Sequence, residues 1–421
     1  MSVDGRDDLR VRVATSLKTV PAAAWNACAN PLALRAAMAA TSPAPTSQAP
    51  ACLDLASAVD EDNPFVSHAF LLALEESGCV GRRSGWSPAY LLVEDAQGSL
   101  LAAAPSFLKS HSQGEYVFDH AWADAYERAG GRYYPKLQLA APFTPATGPR
   151  LLVAEGLRAD EARAGLIAGL EALRGQANAS SVHVTFAQEP DITALREAGY
   201  LERHDLQFHW RNEDFETYDD FLGTLASRKR KALKRERREA LSADITVDVL
   251  SGPDLTEAVW DDFHSFYEDT GSRKWGRPYL NRAFFSAVSA AMGERIVLMM
   301  ARRAGRYIAG AINFRGANTL YGRNWGCIED HPFLHFELCY HQAIDYAIAH
   351  KLSRVEAGAQ GEHKLARGYR PVLTRSLHHL ADPGLRRAVA AHLVNERQHI
   401  AQAQEALAAE SPFRKTGGAD D

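Results

Sequence analysis

The chain has 421 residues, 46% hydrophobic, 24% charged and 9% aromatic. Those values exclude fibrous, collagen-like and wholly disordered proteins, and the length allows roughly two to four domains or one duplicated unit. Lys plus Arg number 47 against 52 Asp plus Glu, a net charge of −5, which excludes a bulk polyanion binder.

Residues 1–62 read as an N-terminal region with a strand over Val11 to Leu17 and a short helix over Pro21 to Ala29. A Pro/Ala-rich stretch, Thr41 to Pro50, follows and is expected to be a flexible insertion. From there the chain repeats one order of elements. The first pass, expected to span 63–211, opens with a helix over Phe65 to Ser77. Strands Leu91 to Glu94 and Leu100 to Phe107 come next, about the turn Asp95-Ala96-Gln97-Gly98, then a helix (Asp160 to Ala177), a strand (Val182 to Phe186) and a helix (Ile192 to Ala198). The second pass, expected within 212–400, has a helix (Leu280 to Met292), three strands (Arg295 to Ala301, Tyr307 to Phe314, Thr319 to Gly326), a helix (Phe336 to His350) and a strand (Arg354 to Ala357). A meander feeding a helix and then a strand makes a mixed sheet with helices on its faces, so the expected fold class is α/β with two like units. Residues 401–421 are expected to be a helix end and a disordered tail.

Within the second pass, Ser227 to Arg238 holds eight basic residues and one acid, a local +7 that leaves −12 for the rest. It has no Gly or Pro and predicts a helix over 227–241, with Leu222, Leu225, Leu233 and Leu241 docking one stripe. Such density suits phosphates, with Lys229, Arg230 and Lys234 as candidate contacts; a solvated charged face is the plain alternative. No helix-turn-helix, zinc finger or RNP motif supports DNA reading.

Two segments mix aromatic and charged residues as polar ligand pockets do. Asp119, Trp122, Tyr133, Tyr134 and Lys136 form the first, though Trp122 and Tyr126, four apart, also fit a helix packing face. Tyr321, Arg323 and Trp325 lie at a strand end, where α/β sheets bind ligands, and Glu337 opens the next helix. A loop with Gly358, Gly361 and Gly368 carries Glu362, His363, Lys364 and Arg367, with Glu356 ahead of it; it matches neither the Walker nor the Rossmann fingerprint. His331 and His335 are separated by Pro332 and there is no HExxH, so no metal is expected. No GxSxG elbow supports a serine hydrolase.

The apolar runs, such as Ile296 to Ala301, fall far short of the roughly 18 residues a spanning helix needs. The start, Met1-Ser2-Val3-Asp4, lacks the apolar core of a signal peptide. Cys28, Cys52, Cys79, Cys327 and Cys339 are scattered, odd in number and without a CxxC, which argues against disulfides and zinc and for a cytoplasmic location.

Asn63-Pro64-Phe65-Val66-Ser67-His68, Lys109-Ser110-His111 through Trp122-Ala123-Asp124, Tyr133 to Gln138, and Gly358 to Lys364 together resemble the bacterial FemAB-like branch of predicted N-acyltransferases. That branch belongs to the GNAT superfamily and is labelled peptidoglycan biosynthesis or recognition; the resemblance covers about residues 62 to 400. It implies tandem GNAT-like domains and acyl or aminoacyl transfer to an amine of a small molecule or peptidoglycan-type precursor. The co-substrate would be acyl-CoA or aminoacyl-tRNA, with no tightly bound cofactor. Of the GNAT pyrophosphate loop, Arg323 to Ile328 supplies only the Arg and first Gly, so both donors stay open. Glu356, Glu362 and His363 are then candidates to position or deprotonate the amine, and Lys364 to face the acyl ester or oxyanion. Tyr321, Trp325, Glu337 and Arg367 join Arg323 as substrate contacts. Non-catalytic recognition of a ligand or peptidoglycan precursor, and RNA binding through the basic helix, are the alternatives.

Overall fold

The structure, a computed structural model, describes residues 9–31, 62–242, 244–274, 278–358 and 361–414. The expected insertion at Thr41 to Pro50 and the tail beyond residue 414 lie outside them, as do Ala359 and Gln360. The chain divides into two compact units, residues 1–204 with 374–397, and residues 205–373 with 398–421.

The first unit begins with β1 (Arg10–Ala14) and α1 (Ala22–Ala29). The expected single helix at Phe65 is a 3-10 turn, Pro64–Val66, followed by α2 (His68–Glu76); Ser67 separates them and caps α2 through its hydroxyl. Next come β2 (Trp86–Pro88), β3 (Tyr90–Glu94), β4 (Leu100–Ala104) and β5 (Ser106–Lys109). The expected strand over Leu100 to Phe107 is thus two strands, because Pro105 has no N–H to give a ladder. β4 belongs to a four-stranded sheet, β1-β3-β4-β7, in which β7 is Leu152–Val153, and β5 to a second sheet beside β2 and β6 (Lys136–Leu139). The Ser106 hydroxyl pins the crossing by donating to the Ala89 carbonyl. α3 (His120–Arg128), β6 (Lys136–Leu139), β7 (Leu152–Val153), α4 (Ala159–Gln176), β8 (Ser181–Ala187) and α5 (Asp191–Glu197) complete the run. β6 and β8 are parallel, joined through α4, whose Leu166 and Leu170 are buried on Leu91, Val93 and Ala102.

β9 (Leu201–Arg211) leads into the second unit. There α6 (Tyr218–Thr224), α7 (Ser227–Ala240), β10 (Thr246–Leu250), α8 (Glu257–Lys274) and α9 (Arg282–Met292) precede a meander of β11 (Ile296–Arg303), β12 (Arg306–Arg315) and β13 (Thr319–Cys327). α10 (residues 334–349) contains a π-helical turn, Glu337–His341. It returns the chain to β14 (Arg354–Glu356), parallel to β13. A 3-10 turn, Glu362–Arg367, then leads to β15 (Arg370–Leu380) and α11 (Pro383–Ala409).

Both units therefore contain the expected mixed sheet, with a parallel pair made by one crossover helix: β6–β8 through α4, and β13–β14 through α10. The neighbour on the far side of each pair is antiparallel, and its origin is the part the sequence hid. β15, late in the chain, lies against β8, and β9, from mid-chain, lies against β14.

Candidate functional site

Asp119, Tyr133 and Lys136, three of the residues expected to form the first polar ligand pocket, are buried in the first unit and bonded mainly to one another and to Glu115 and Ser112. The Lys136 ammonium donates to Glu115 Oε2 (2.6 Å), Asp119 Oδ2 (2.5 Å) and the Ser112 hydroxyl (2.7 Å). The Tyr133 hydroxyl donates to Asp119 Oδ2 at 2.7 Å, and Tyr134 is hydrogen-bonded to Ser112 at 2.8 Å. Lys109 stands 3.6 Å from Glu115 and 3.7 Å from the Trp86 ring centroid. Trp122 closes the group against His378, which is hydrogen-bonded to His183 at 2.7 Å.

Burial opposes charge throughout this network, and it prevails at Lys109, Glu115 and His183 but not at Lys136 and Asp119. It lowers Lys109 to about 7 despite Glu115. It works against Lys136 too, but two carboxylates more than offset it and raise that group. Asp119 is held well below the carboxylate range, because Lys136, by charge and by hydrogen bond, outweighs its burial. Desolvation lowers His183 to about 3, so its imidazole is neutral. The network thus encloses Lys136 between two buried carboxylates.

The second unit is more open. β13 pairs with β14 only from Thr319↔Arg354 to Tyr321↔Glu356, yet runs on to Cys327. On its other side the ladder with β12 slips between Ala311 and Asn313, a bulge that re-aims the residues around Arg323 and Asn324. Where the strands part lies a cavity of about 80 Å³, walled by Arg323, Asn324, Trp325, His335, Cys339 and Tyr340. Trp325 and His335 also line a neighbouring cavity of about 400 Å³, with Glu329, His331, Phe333 and Phe336. Phe333 sits at φ +63°, a costly left-handed conformation for a bulky side chain, of the kind that clusters at ligand sites. Gly326 is obligatory in this strand, since a Cβ there would fall on the Phe266 carbonyl of α8.

The turn Glu362–Arg367 borders this region. Glu362 and His363 are exposed, whereas Lys364 is buried and donates to the Gly358 carbonyl at 3.0 Å. Burial lowers Lys364 to about 8; Cys339 opposes the shift and Arg323 adds to it, so the ammonium has two cavity-wall residues as electrostatic neighbours. His363 Nε2 is hydrogen-bonded to the Tyr340 hydroxyl at 2.8 Å. Burial, then Arg367 and Lys364, lower its pKa and keep the ring neutral near pH 7.

Of the other expected site residues, Glu356 is buried on β14, 3.3 Å from Arg354 and 4.0 Å from His209. Arg323 stacks over Tyr321 at 5.3 Å. Glu337 points to the basic helix, where it receives Arg237 (2.9 and 3.1 Å), and it also accepts from Gln342 of its own helix at 2.7 Å. Arg367 is committed to Glu236 (2.8 and 2.7 Å). On α7, Leu233 is buried, Lys229 is exposed, Arg230 is half-buried, and Lys234 lies 2.8 Å from Asp219. Glu236, His341 and Tyr218 were not anticipated. The one signal for Glu236 was its being the lone acid in a basic run. Among the described residues no group of three or more His, Cys, Asp or Glu could hold a metal ion, and no helix is long and apolar enough to cross a membrane.

A family model described as peptidoglycan biosynthesis or recognition matches residues 16–415. The chain belongs to the FemAB-like family. No curated protein matches its sequence. Solved structures similar to this FemAB-like chain include FemX (12% identity, 73% of this chain and 92% of that one, TM-score 0.47). A tandem GNAT protein from the clavulanic acid biosynthesis pathway is similar at 12% identity, 89% and 99% coverage and TM-score 0.45. L-PGS from Bacillus licheniformis is similar at 10% identity, 76% and 92% coverage and TM-score 0.46.

Proposed function

We propose that this FemAB-like protein is an N-acyltransferase that moves an acyl or aminoacyl group onto an amine, with the reaction centred in the second unit where β13 outruns β14. The observation that carries the reading is Lys364. It is a buried ammonium whose electrostatic neighbours, Cys339 and Arg323, wall the smaller cavity, with a pKa of about 8 that leaves it mostly cationic near pH 7. A positive group fixed there stabilises the oxyanion that forms as an amine attacks a carbonyl. The amine must first lose a proton, and neutral His363 or the exposed carboxylate of Glu362, both on the same turn, can take it. The larger cavity, with its aromatic walls, has room for one substrate to be held against the smaller one. Acyl-CoA and aminoacyl-tRNA both fit as donors, and the exposed basic side chains of α7 favour a phosphate-rich one. The acceptor we favour is an amine of a peptidoglycan-type precursor, acted on in the cytoplasm, in keeping with the family.

The test is mass spectrometry of candidate amine acceptors, including nucleotide-sugar peptides, incubated with the protein and a panel of CoA esters or aminoacyl-tRNAs. An acceptor that gains the acyl mass with wild-type protein, and not with Lys364→Ala of unchanged circular dichroism, supports the proposal. Binding of the precursor without any product supports recognition on the same fold instead.

A further inference from the structure

The basic helix has a second face. Arg228, Lys229, Lys231, Lys234, Arg235 and Arg238 are exposed, but the single acid among them turns inward. Glu236 grips the Arg367 guanidinium with both oxygens, at 2.8 and 2.7 Å, and Oε1 also meets His341 Nε2 at 2.8 Å. The other nitrogen of that imidazole is hydrogen-bonded to the Tyr218 hydroxyl at 2.6 Å. The side chains of Glu236, Arg367 and His341 are only 11%, 7% and 0% exposed. Arg367 in turn donates to the His363 carbonyl at 2.7 Å and lies 3.4 Å over the Phe336 ring, which walls the larger cavity. Beside it, Arg237 holds Glu337 and Asp345 on α10.

We propose that Glu236 is a positioning residue for the reacting turn: by fixing Arg367 it sets the backbone that carries His363 and Lys364. The inference rests on the acyl-transfer reading only for the word reacting; the clamp itself is a property of the turn. The turn needs such a hold. It runs between Gly361 at φ +113° and Gly368 at φ +83°, conformations that side chains rarely adopt, and it belongs to no strand ladder. An Arg–carboxylate fork supplies direction as well as attraction, which one ammonium in place of the arginine would not. Burial of all three members removes competition from water.

The test uses the full chain and needs no substrate. Amide hydrogen exchange is measured over residues 361–368 and over β11 and β12, and the reactivity of Lys364 toward acetic anhydride is followed against pH. In the wild type the turn should be protected, and the Lys364 reactivity should rise through about pH 8, below an ordinary lysine because of its burial. Glu236→Gln is expected to speed exchange in the turn at least tenfold, with β11 and β12 little changed, and to move the Lys364 titration up toward that of an ordinary lysine. Arg367→Lys, which keeps the charge and loses the fork, should act in the same direction, and Lys231→Ala on the outward face should do neither. Wild-type exchange and titration in both Glu236→Gln and Arg367→Lys would overturn the proposal. So would a rise in exchange as large in β11 and β12 as in the turn, which marks a merely structural tie. If these readouts behave as expected while no acyl donor gives product, the clamp stands and the acyl-transfer reading falls.

Discussion

Replacing Lys136 by Met removes one buried cation and keeps most of its volume. The ammonium bridges two carboxylates, at 2.6 Å from Glu115 and 2.5 Å from Asp119, all fully or almost fully buried. Breaking a buried pair by deleting one partner costs about 3–5 kcal/mol. Here Asp119 keeps the Tyr133 hydroxyl and Glu115 keeps Lys109 at 3.6 Å, so the expected loss is about 3 kcal/mol, near the lower end. For a unit of this size that is about 6–12 °C in the melting transition. The pH dependence identifies the cause. Without Lys136 the carboxylates lose the charge that favours ionisation, and burial pushes them above their unfolded values. The folded variant then binds more protons than its unfolded chain, so its stability rises as pH falls. The gap to wild type should narrow between pH 7 and 5. Urea titrations monitored by hydrogen exchange in β8 measure both. A loss under about 1 kcal/mol at pH 7, or a gap that widens on acidification, would refute the account and return Lys136 to the list of ligand contacts.

Other consequences follow from the same structure. His183, lowered to about 3 by burial and then Lys136, binds fewer protons folded than unfolded, so this one imidazole should cost the first unit about 1.6 kcal/mol on going from pH 6.5 to 5; His183→Asn should reduce the slope by about that much in urea titrations, leaving the part that comes from His378, which burial also lowers. Gly368→Ala would put a Cβ 2.6 Å from the Phe221 ring at φ +83°, and should cost about 2–4 kcal/mol by thermal melting. If α7 takes a phosphate-rich donor, Lys229→Ala should lower the slope of log affinity against log salt by about 1 in a filter-binding titration with tRNA.

The local pattern of this chain was legible because α4 keeps a helical period, because β11 is a short continuous apolar run, and because Asp95 to Gly98 is a clear hairpin turn. Two things were not. Pro105 splits one apolar run between two sheets, and only the three-dimensional ladder shows which half goes where. β9 and β15 mix His and Arg with apolar residues, so neither announced a strand, and their pairing with β14 and β8 is a fact of long-range topology. At the candidate site the sequence could name Lys364, Arg323 and Trp325 as residue types suited to a pocket. It could not show that Arg367 and Glu337 spend their charge on α7, or that Lys136 is enclosed, since a charged residue reads alike whether it faces a ligand or a partner 100 residues away.

The account turns on a cationic Lys364 at the point of acyl transfer, and the pH profile of kcat for product formation, followed by mass spectrometry, reads it most directly. With wild-type protein kcat should rise as the attacking amine deprotonates and then fall through about pH 8 as Lys364 loses its charge. Lys364→Arg, which stays charged, should retain activity and lose that descending limb, and Lys364→Met should be slower by about 100-fold at pH 7. An unchanged descending limb in Lys364→Arg, or a Lys364→Met protein as fast as wild type, would contradict the account.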